Sequence, residues 1–341
     1  MVYTMRDVAR LAGVSASTVS RVLNNTHYIS DETRKRVHDV VDSVSYYKNV
    51  HAKRLSTGRS DLFGLVISEI ASPYFSEVIR GFQAAAWDRG LDVLLLNTEY
   101  IPARTQAVIR KLIQSDVSGV AIMTSSIDNT MTAELQKAGI GVVFSNSSVP
   151  DTWVSSVCID YSRGIAQAIE HVAKLEHKRT AVIGGPEGNL TAATIKHALV
   201  KGLSKRGMTP FPITHSDYRV DAGASAVREI LAAKEMPTVI FCGSDLIAMG
   251  AMNTLEESGV RVPEDISILG IDNISFAFLA RPPLTTINVP REQLGMKAFD
   301  ALDKMLQLKR HKGAQYTLET ELIVRKSTCV ARKGKLRQIT R

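Results

Sequence analysis

The chain has 341 residues, of which 45% are hydrophobic and 22% charged, and its formal net charge at pH 7 is +8. This length predicts two or three domains with ample apolar material for their cores. The first 60 residues hold ten Lys or Arg against five Asp or Glu, and residues 325–341 hold seven Lys or Arg and no acid. The excess of basic residues thus lies at the two ends of the chain and not in the segment between them. This distribution indicates that a polyanion binds at a terminus, and it excludes a uniformly basic protein.

Cys158, Cys242 and Cys329 are widely spaced in the chain. The sequence therefore predicts neither a disulfide framework nor a zinc site, and we expect no metal or other cofactor. The amino terminus lacks the apolar core of a signal peptide, and no apolar run approaches the length of a membrane span. We expect a reduced, cytoplasmic protein with no membrane partner.

The first predicted helix begins near the amino terminus. Thr4, with Asp7 three positions later, makes a capping-box-like start that satisfies free amide donors. Val8 and Leu11 are expected on one face of this helix. Gly13 can adopt the positive φ that ends a helix and allows a tight turn.

A second helix is predicted directly after that turn. Ser15 caps it, and Val19, Val22 and Leu23 point inward at i, i+3, i+4 spacing. The positions expected to face outward are Ala16, Ser17, Thr18, Ser20, Arg21 and Asn24. Such a helix fits the major groove of DNA, where hydroxyls bond phosphate and the Arg21 guanidinium matches guanine O6 and N7. Taken alone, the stretch is also compatible with an ordinary helical hairpin that has one polar face.

A third helix is predicted over residues 30–47, capped by Ser30. Its buried stripe is expected to consist of Val37, Val40, Val41 and Val44. Three short helices make a small self-contained domain. The basic stretch KNVHAKRLSTGRS that follows is interpreted as a linker of marginal helicity, because it is too short to be a stable helix alone in water.

From Leu62 onward, short buried apolar runs alternate with longer amphipathic segments, and the pattern restarts after Asp160. Predicted strands include LFGLVIS, LDVLLLN, GVAIMTS and GVVFS in the first run, and TAVIGG, FPITHS, PTVIFCG and ISILGID in the second. This alternation predicts an α/β fold with two doubly wound parallel sheets, each covered on both faces. In open sheets of this kind ligands bind beyond the carboxyl ends of the strands, so a small-molecule site is expected in the loops there.

Four motifs resemble those of the LacI/GalR family of transcriptional regulators: DVARLAGVSASTVSRVLN, NVHAKRL, GSDLIAMGA, and VPEDISILGID with PPLTTINVP. The resemblance covers essentially the whole chain. It implies a homodimer with a helix-turn-helix headpiece, a hinge helix and a two-lobed core like a periplasmic sugar-binding protein. The expected function is a sequence-specific transcriptional regulator, expected to be a repressor, that binds a palindromic operator in double-stranded DNA. Its effector, expected to be a sugar or related metabolite, is held between the lobes.

The expected domain boundaries follow from this resemblance. They are residues 1–48 for the headpiece, 49–60 for the hinge and linker, 61–330 for the core and 331–341 for a basic tail. The first lobe takes about 61–158 and 291–320, and the second about 161–288 and 321–330. The tail lacks apolar periodicity and heptads, so we expect it to be solvated and the protein to be a dimer without a zipper.

The resemblance also assigns DNA-contacting residues. Ala16, Ser17 and Arg21 match base-reading positions, and the small side chains at the first two favour contact with thymine methyl groups or reading through water. The phosphate-contacting positions are Thr4, Thr18, Ser20 and Asn24, and Ser15 completes the headpiece set.

In the hinge, Leu55 matches the leucine that wedges into the minor groove of DNA, with Asn49 and Ala52 around it. Plain packing is the alternative for a leucine in such a segment. Ser45 and Lys48 stand where the family usually has glycine and proline. These departures leave the boundary between the third helix and the hinge open.

In the core, the resemblance places Tyr74 and Phe75 on one side of the cleft and Tyr218 on the other, suited to the apolar face of a sugar or to a flat base. Core packing is the alternative for these rings. The polar ligand positions are Asn189, Thr191, Ser244 and Asp272. A carboxylate just after a buried strand, as at Asp272, can accept from two adjacent hydroxyls, although it can also simply cap a loop.

Two departures concern the effector. Ile195 stands where many members carry a clamping arginine, and Asn146 stands where aspartate is common. A bidentate donor to an anion is therefore missing. We expect an effector that is uncharged or held by fewer polar groups, and a regulator without small-ligand control is the alternative.

Two rival classes fit less well. A two-lobed solute-binding protein would need an export signal in place of the headpiece. An α/β enzyme would need a phosphate loop or a catalytic constellation, and GGPEGN matches neither common phosphate-loop pattern. The histidines at 171, 177 and 197 are expected at the surface. We therefore expect no enzymatic activity.

Overall fold

The structure is a computed structural model, and the part of the chain that it describes comprises residues 3–23, 29–46, 60–124, 129–146, 151–210, 214–215, 217–233, 235–307 and 312–333. The chain divides into two compact units, Met1–Asp61 and Leu62–Arg341. The finer domain boundaries given above stay predictions. Within the described ranges, no helix combines the length and apolar character needed to cross a membrane.

The first unit contains three short helices around one small core. These are α1 (Met5–Ala12), α2 (Ala16–Leu23) and α3 (Asp31–Ser43). The predicted capping box is confirmed, because the Asp7 amide donates to Thr4 Oγ1 at 3.3 Å and the Thr4 amide donates to Asp7 Oδ2 at 3.0 Å. Gly13 ends α1 with φ of 66°, and Ser30 caps α3 as predicted.

Two details of this unit differ from the predictions. Leu11 is exposed, whereas Val8 and Ala12 are buried. At 100° per residue, Leu11 points about 60° away from Val8 and about 100° away from Ala12, so it lies at the edge of the buried face. α3 ends at Ser43 rather than near residue 47, because Ser45 adopts a left-handed φ of 46°. Ser45 thus has a left-handed conformation at the position where the resemblance leads us to expect glycine.

The second unit contains two sheets, which confirms the predicted fold class. The strands are β1 (Leu62–Ile67), β2 (Asp92–Asn97), β3 (Gly119–Met123), β4 (Gly141–Ser145), β5 (Val154–Asp160), β6 (Arg179–Gly184), β7 (Thr209–Pro210), β8 (Thr214–His215), β9 (Val239–Cys242), β10 (Ser267–Asp272), β11 (Thr285–Asn288), β12 (Gln315–Glu319) and β13 (Glu321–Ile323). The first sheet has strand order β12-β5-β4-β3-β1-β2, and the second has β13-β11-β10-β9-β6-β7, with β8 also on β6. All pairs in the first sheet are parallel, and β13 pairs antiparallel with β11 in the second.

Each sheet is covered by helices on both faces. The helices are α4 (Pro73–Trp87), α5 (Pro102–Ser115), α6 (Asn129–Lys137), α7 (Ser162–Lys174), α8 (Leu190–Lys205), α9 (Val220–Leu231), α10 (Asp245–Glu257) and α11 (Arg291–Gln307). In the first sheet, α4 and α11 pack on one face and α5 and α6 on the other. In the second, α7 and α8 pack on one face and α9 and α10 on the other. We call the first sheet with its helices the first lobe and the second sheet with its helices the second lobe.

The contact between α4 and α11 is unusually close. A Cβ at Gly81 would overlap the carbonyl oxygen of Glu292, and a Cβ at Gly295 would overlap that of Val78. The two glycines therefore let the helix backbones touch. As a result, the first turn of α11 lies beside the middle of α4, at Val78 and Gly81.

Of the predicted strand FPITHS, residues 211–213 and 216 lie outside the described part of the chain, and Thr214–His215 pair with β6. Two further predictions about the second lobe need correction. His177 is buried, and its ring nitrogens lie 2.9 Å from Thr238 Oγ1 and 3.1 Å from the Cys329 carbonyl oxygen. The predicted tail is not solvated from its start, because the Ala331 amide donates to the Leu175 carbonyl at 2.7 Å.

Candidate DNA-reading helix and ligand cavity

α2 presents a polar face on the first unit. Val19 and Val22 are buried beneath it, while Ser15, Ser17 and Arg21 are exposed. The predicted cap is confirmed, because the Thr18 amide donates to Ser15 Oγ at 3.1 Å. This face offers hydroxyls and one guanidinium, which are the groups that bind phosphate and guanine edges.

The other residues predicted to contact DNA differ in exposure, and some lie outside the described part of the chain. Ala16 packs half-buried against the small core of this unit, so it is not simply outward as expected. Thr4, Thr18 and Ser20 are exposed or half-buried. Four predicted residues lie outside the described part of the chain: Asn24, Asn49, Ala52 and Leu55.

A cavity of about 140 Å³ lies between the two lobes of the second unit. Its lining side chains follow the carboxyl ends of strands in both sheets, where the sequence placed the small-molecule site. All seven predicted effector-site residues line it: Tyr74, Phe75, Asn189, Thr191, Tyr218, Ser244 and Asp272. The structure therefore brings this whole predicted set together.

Several lining residues were missed by the sequence analysis: Ser68, Ser72, Tyr100, Thr124, Ser145 and Tyr161. Ser68, Thr124 and Tyr161 each come directly after an apolar strand. Their position at the carboxyl end of a predicted strand could therefore have identified them as lining residues. Tyr100 comes three residues after its strand, in a turn that the sequence pattern does not indicate.

Aromatic rings form much of the cavity wall. Tyr74 and Phe75 contact each other edge to face, with their ring centroids 5.1 Å apart. Burial raises the pKa of the Tyr74, Tyr161 and Tyr218 phenols well above their ordinary range. The phenols are therefore neutral at physiological pH and can donate hydrogen bonds.

Three polar side chains of the lining already use an oxygen within the protein. Asn189 Oδ1 accepts from the Ala192 amide at 2.9 Å and caps α8. Asn146 Oδ1 accepts from the Ile159 amide at 2.6 Å, and Ser244 Oγ accepts from an amide of α10. Their amide N–H groups and the Ser244 hydroxyl are the donors that these side chains can offer toward the cavity. Such donors suit ring oxygens, hydroxyls and carbonyl groups of a ligand.

Among the described lining residues, Asp272 is the only acidic side chain, and none is Lys or Arg. Ile195 lines the cavity at 4% exposure, so an apolar group occupies the place of the expected clamp. Burial, reinforced by nearby Asp245, raises the pKa of the Asp272 carboxyl, and Arg291 opposes that rise. An anionic ligand would meet no opposite charge in this lining.

Asp245 lies outside the cavity lining and stabilises the strand ends that carry lining residues. It is fully buried, and it accepts from Thr286 Oγ1 at 2.5 Å and from the Ile274 amide at 2.8 Å. Burial raises the pKa of this carboxyl to about 7. These two bonds hold the ends of β10 and β11 together beneath Asp272.

Arg291, the first residue of α11, connects the two lobes behind the cavity lining. Its guanidinium donates to the carbonyl oxygens of Asp272 and Asn273 and to Glu77 Oε2, the last two at 2.8 Å. Asp272 and Asn273 have φ of 114° and 56°, a conformation that non-glycine residues rarely adopt. Arg291 therefore stabilises the backbone that aims the Asp272 carboxyl.

The site is not arranged as a metal centre. In the ranges that the structure describes, no group of three or more His, Cys, Asp or Glu side chains is placed to hold a metal ion.

A helix-turn-helix unit and a two-lobed α/β core with a polar cavity between its lobes define a class, the ligand-responsive DNA-binding regulators. Comparisons with known proteins agree. Residues 4–49 match the model for bacterial regulatory proteins of the lacI family, and residues 169–328 match a periplasmic binding protein-like domain. The HTH-type transcriptional repressor PurR of Photobacterium profundum is 31% identical over 327 residues, which cover 95% of this chain and 98% of that protein.

Solved structures show the same likeness. The Lac repressor dimer bound to operator and the anti-inducer ONPF aligns with a TM-score of 0.85 at 28% identity, covering 96% of this chain and all of that one. A complex of the transcriptional regulator CelR with cellobiose aligns with a TM-score of 0.71 at 30% identity, covering 95% of this chain and 99% of that one. The chain belongs to the lacI family of bacterial regulatory proteins. It is a DNA-binding transcriptional regulator with an effector-binding core.

The first prediction concerns Arg291, which is 2% exposed. Replacing Arg291 by Gln leaves Glu77 and two carbonyl groups without their buried partner, which should lower the free energy of unfolding by about 3–5 kcal/mol. Urea denaturation of the full chain measures this change. The control is Arg80→Gln, because the Arg80–Glu292 ion pair is 62% and 47% exposed and should contribute no more than about 1 kcal/mol. Equal losses in the two variants would contradict the role of Arg291.

Proposed function

We propose that the protein binds a two-fold-symmetric DNA site as a homodimer, with α2 of each subunit in the major groove. Arg21 reads a guanine, and Ala16 and Ser17 allow the helix to approach the bases closely. Ser15, Thr18 and Ser20 bond phosphate. The observation that carries this proposal is the exposed face of α2, with one guanidinium among hydroxyls over a buried valine pair. The Lac repressor structure contains a dimer bound to its operator.

A second copy of the chain is the partner that fits the surface of the second lobe. Phe276, Phe278 and Leu279 are 47%, 56% and 53% exposed within a few residues of one another. Exposed apolar side chains so close together mark surfaces that bind another protein. Their burial between two subunits would bring two headpieces into one assembly, as a two-fold-symmetric DNA site requires.

The effector that the cavity favours is an uncharged metabolite with several hydroxyl or carbonyl groups and one apolar or flat face. Asp272 accepts hydrogen bonds from it, and the amides and hydroxyls of the lining donate to it. A sugar or a nucleoside has this chemistry, and cellobiose is the ligand of the CelR neighbour. The lining offers no opposite charge to an anion.

Ligand binding controls DNA binding through a shift between lobe arrangements. An effector can move that equilibrium only by its different affinity for the two arrangements. We also propose that the cavity binds its ligand without turnover, and that the protein acts in the cytoplasm, where its DNA sites are.

The cavity volume favours a second candidate, a regulator without small-ligand control. About 140 Å³ is small beside the roughly 300–1,000 Å³ of common ligand pockets. In that case the core would serve dimerisation alone. A ligand panel separates the two candidates.

The second prediction tests the DNA-reading helix. Arg21→Ala should weaken binding to a selected operator by about 1–3 kcal/mol per half-site and relax the preference at one base. The control is Arg36→Ala, which removes the same charge from an exposed position on α3 and should leave base preference unchanged. Binding to operators with single base changes measures both effects. A uniform loss across all operators in Arg21→Ala would make Arg21 a phosphate contact instead.

The third prediction tests the effector. In a thermal-shift and calorimetry panel of neutral sugars, nucleosides and sugar phosphates, a neutral compound should stabilise the protein, by about 2.7 kcal/mol at 100 times its Kd. Asp272→Asn should abolish this stabilisation, whereas Asp92→Asn, at the exposed start of β2, should preserve it. Tight binding of an anionic sugar phosphate would contradict the proposed ligand class. A panel without any hit would favour the second candidate.

A further inference from the structure

The turn after β2 has an unusual backbone. The Ile101 amide donates to the Thr98 carbonyl at 3.0 Å, which closes a four-residue turn. The two central residues, Glu99 and Tyr100, have φ of 51° and 58°. Positive φ at both central positions is the pattern of a type I′ turn.

Type I′ turns are dominated by Gly, Asn and Asp, because other side chains crowd the backbone at positive φ. This turn instead contains Glu and Tyr, so other contacts must hold it. Glu99 forms an ion pair with Arg104 of α5, and its amide donates to Asn97 Oδ1 at 3.3 Å. The Thr98 amide donates to the Ile67 carbonyl at 3.1 Å. The strained turn is therefore tied to β1 and α5.

The turn places the Tyr100 ring at the cavity. Tyr100 lines it, yet the residue is 42% exposed, so it also reaches solvent. Burial raises the pKa of its phenol, a hydrogen bond with Ser68 opposes the rise, and the nearby carboxyls of Glu69, Asp272 and Asp217 add to it. Ser68 belongs to the first lobe and the two aspartates to the second. The ring therefore stands where the lobes face each other, between the cavity and solvent.

We propose that Tyr100 is the gate of the cavity, whose ring closes the mouth and sets the size of molecule that enters. The proposal deepens the proposed function and rests on the cavity being a ligand site. Backbone strain is retained in proteins where surrounding contacts over-determine it, often at ligand clamps. Here the strain holds a ring at the mouth that a favoured turn residue could not provide.

The test uses Tyr100→Asn, because asparagine tolerates positive φ and removes the ring. If Tyr100 served only packing, this change would lower the unfolding midpoint. A gate held in a strained turn predicts a midpoint that is unchanged or raised. Glu176→Asn is the matched control, since Glu176 has φ of 61° at an exposed position outside the cavity lining. It should change the midpoint in the same direction.

Access to the cavity is measured in a Thr124→Cys background. Thr124 lines the cavity and is 8% exposed. Iodoacetamide and the larger N-ethylmaleimide are the probes, and peptide mass spectrometry follows each cysteine. The rate ratio of the two reagents at the half-exposed Cys158 supplies the reference for their intrinsic reactivity.

The gate predicts that the cysteine at 124 strongly prefers the small reagent, relative to Cys158. Adding Tyr100→Asn should speed labelling several-fold and remove that size preference, whereas adding Glu176→Asn should change neither. Cys242 is fully buried in β9 and reports general unfolding, so its labelling should stay slow throughout.

An unchanged rate at position 124 in the Tyr100→Asn variant would overturn the proposal. So would a parallel rise at Cys242, or a lowered unfolding midpoint, since either would make Tyr100 a packing residue. These measurements need no effector. A failed ligand panel therefore overturns the effector without deciding the gate, and a failed labelling test overturns the gate without deciding the effector.

Discussion

The core depends on the hydrogen bonds that the buried Arg291 guanidinium donates to Glu77 and to the carbonyl oxygens of Asp272 and Asn273. Arg291 starts α11 in the first lobe, which touches α4 closely because two glycines face each other, and it binds the carbonyl oxygens at the end of β10 in the second lobe. Glu77 balances its charge. The strand end that Arg291 holds also carries Asp272 into the cavity. A ligand that contacts Asp272 therefore acts on the junction between the lobes.

The arrangement of charge explains the selectivity proposed for the cavity. Arg291 lies behind the lining with its donors directed at carbonyl groups and Glu77, and the apolar Ile195 stands at the position that the resemblance gives to a clamping arginine. Desolvation of Asp272 and Asp245 makes additional negative charge costly there. Neutral ligands avoid that cost, because hydrogen bonds alone can satisfy the amides and hydroxyls of the wall. The same charge pattern separates this core from sites built to clamp phosphate.

Much of the fold and site follows from the sequence, because strand and helix periodicity and caps are local properties. The seven predicted cavity residues converge, since parallel strands end at the same edge of a sheet. Tyr100 was missed because its turn uses Glu and Tyr where turn rules expect Gly or Asn. Leu11 and His177 were misplaced because helix phase relative to a core, and burial by the distant Cys329 segment, depend on tertiary packing. The hinge residues, including Leu55, lie outside the described part of the chain and stay predictions.

The central claim is that DNA reading resides in the first unit and ligand binding in the second. The most direct test compares the full chain with a fragment of residues 62–341, using DNA selected by the full chain from a random pool. The account predicts that the fragment unfolds cooperatively and has lost specific DNA binding. A fragment that binds the selected DNA as tightly as the full chain would contradict it.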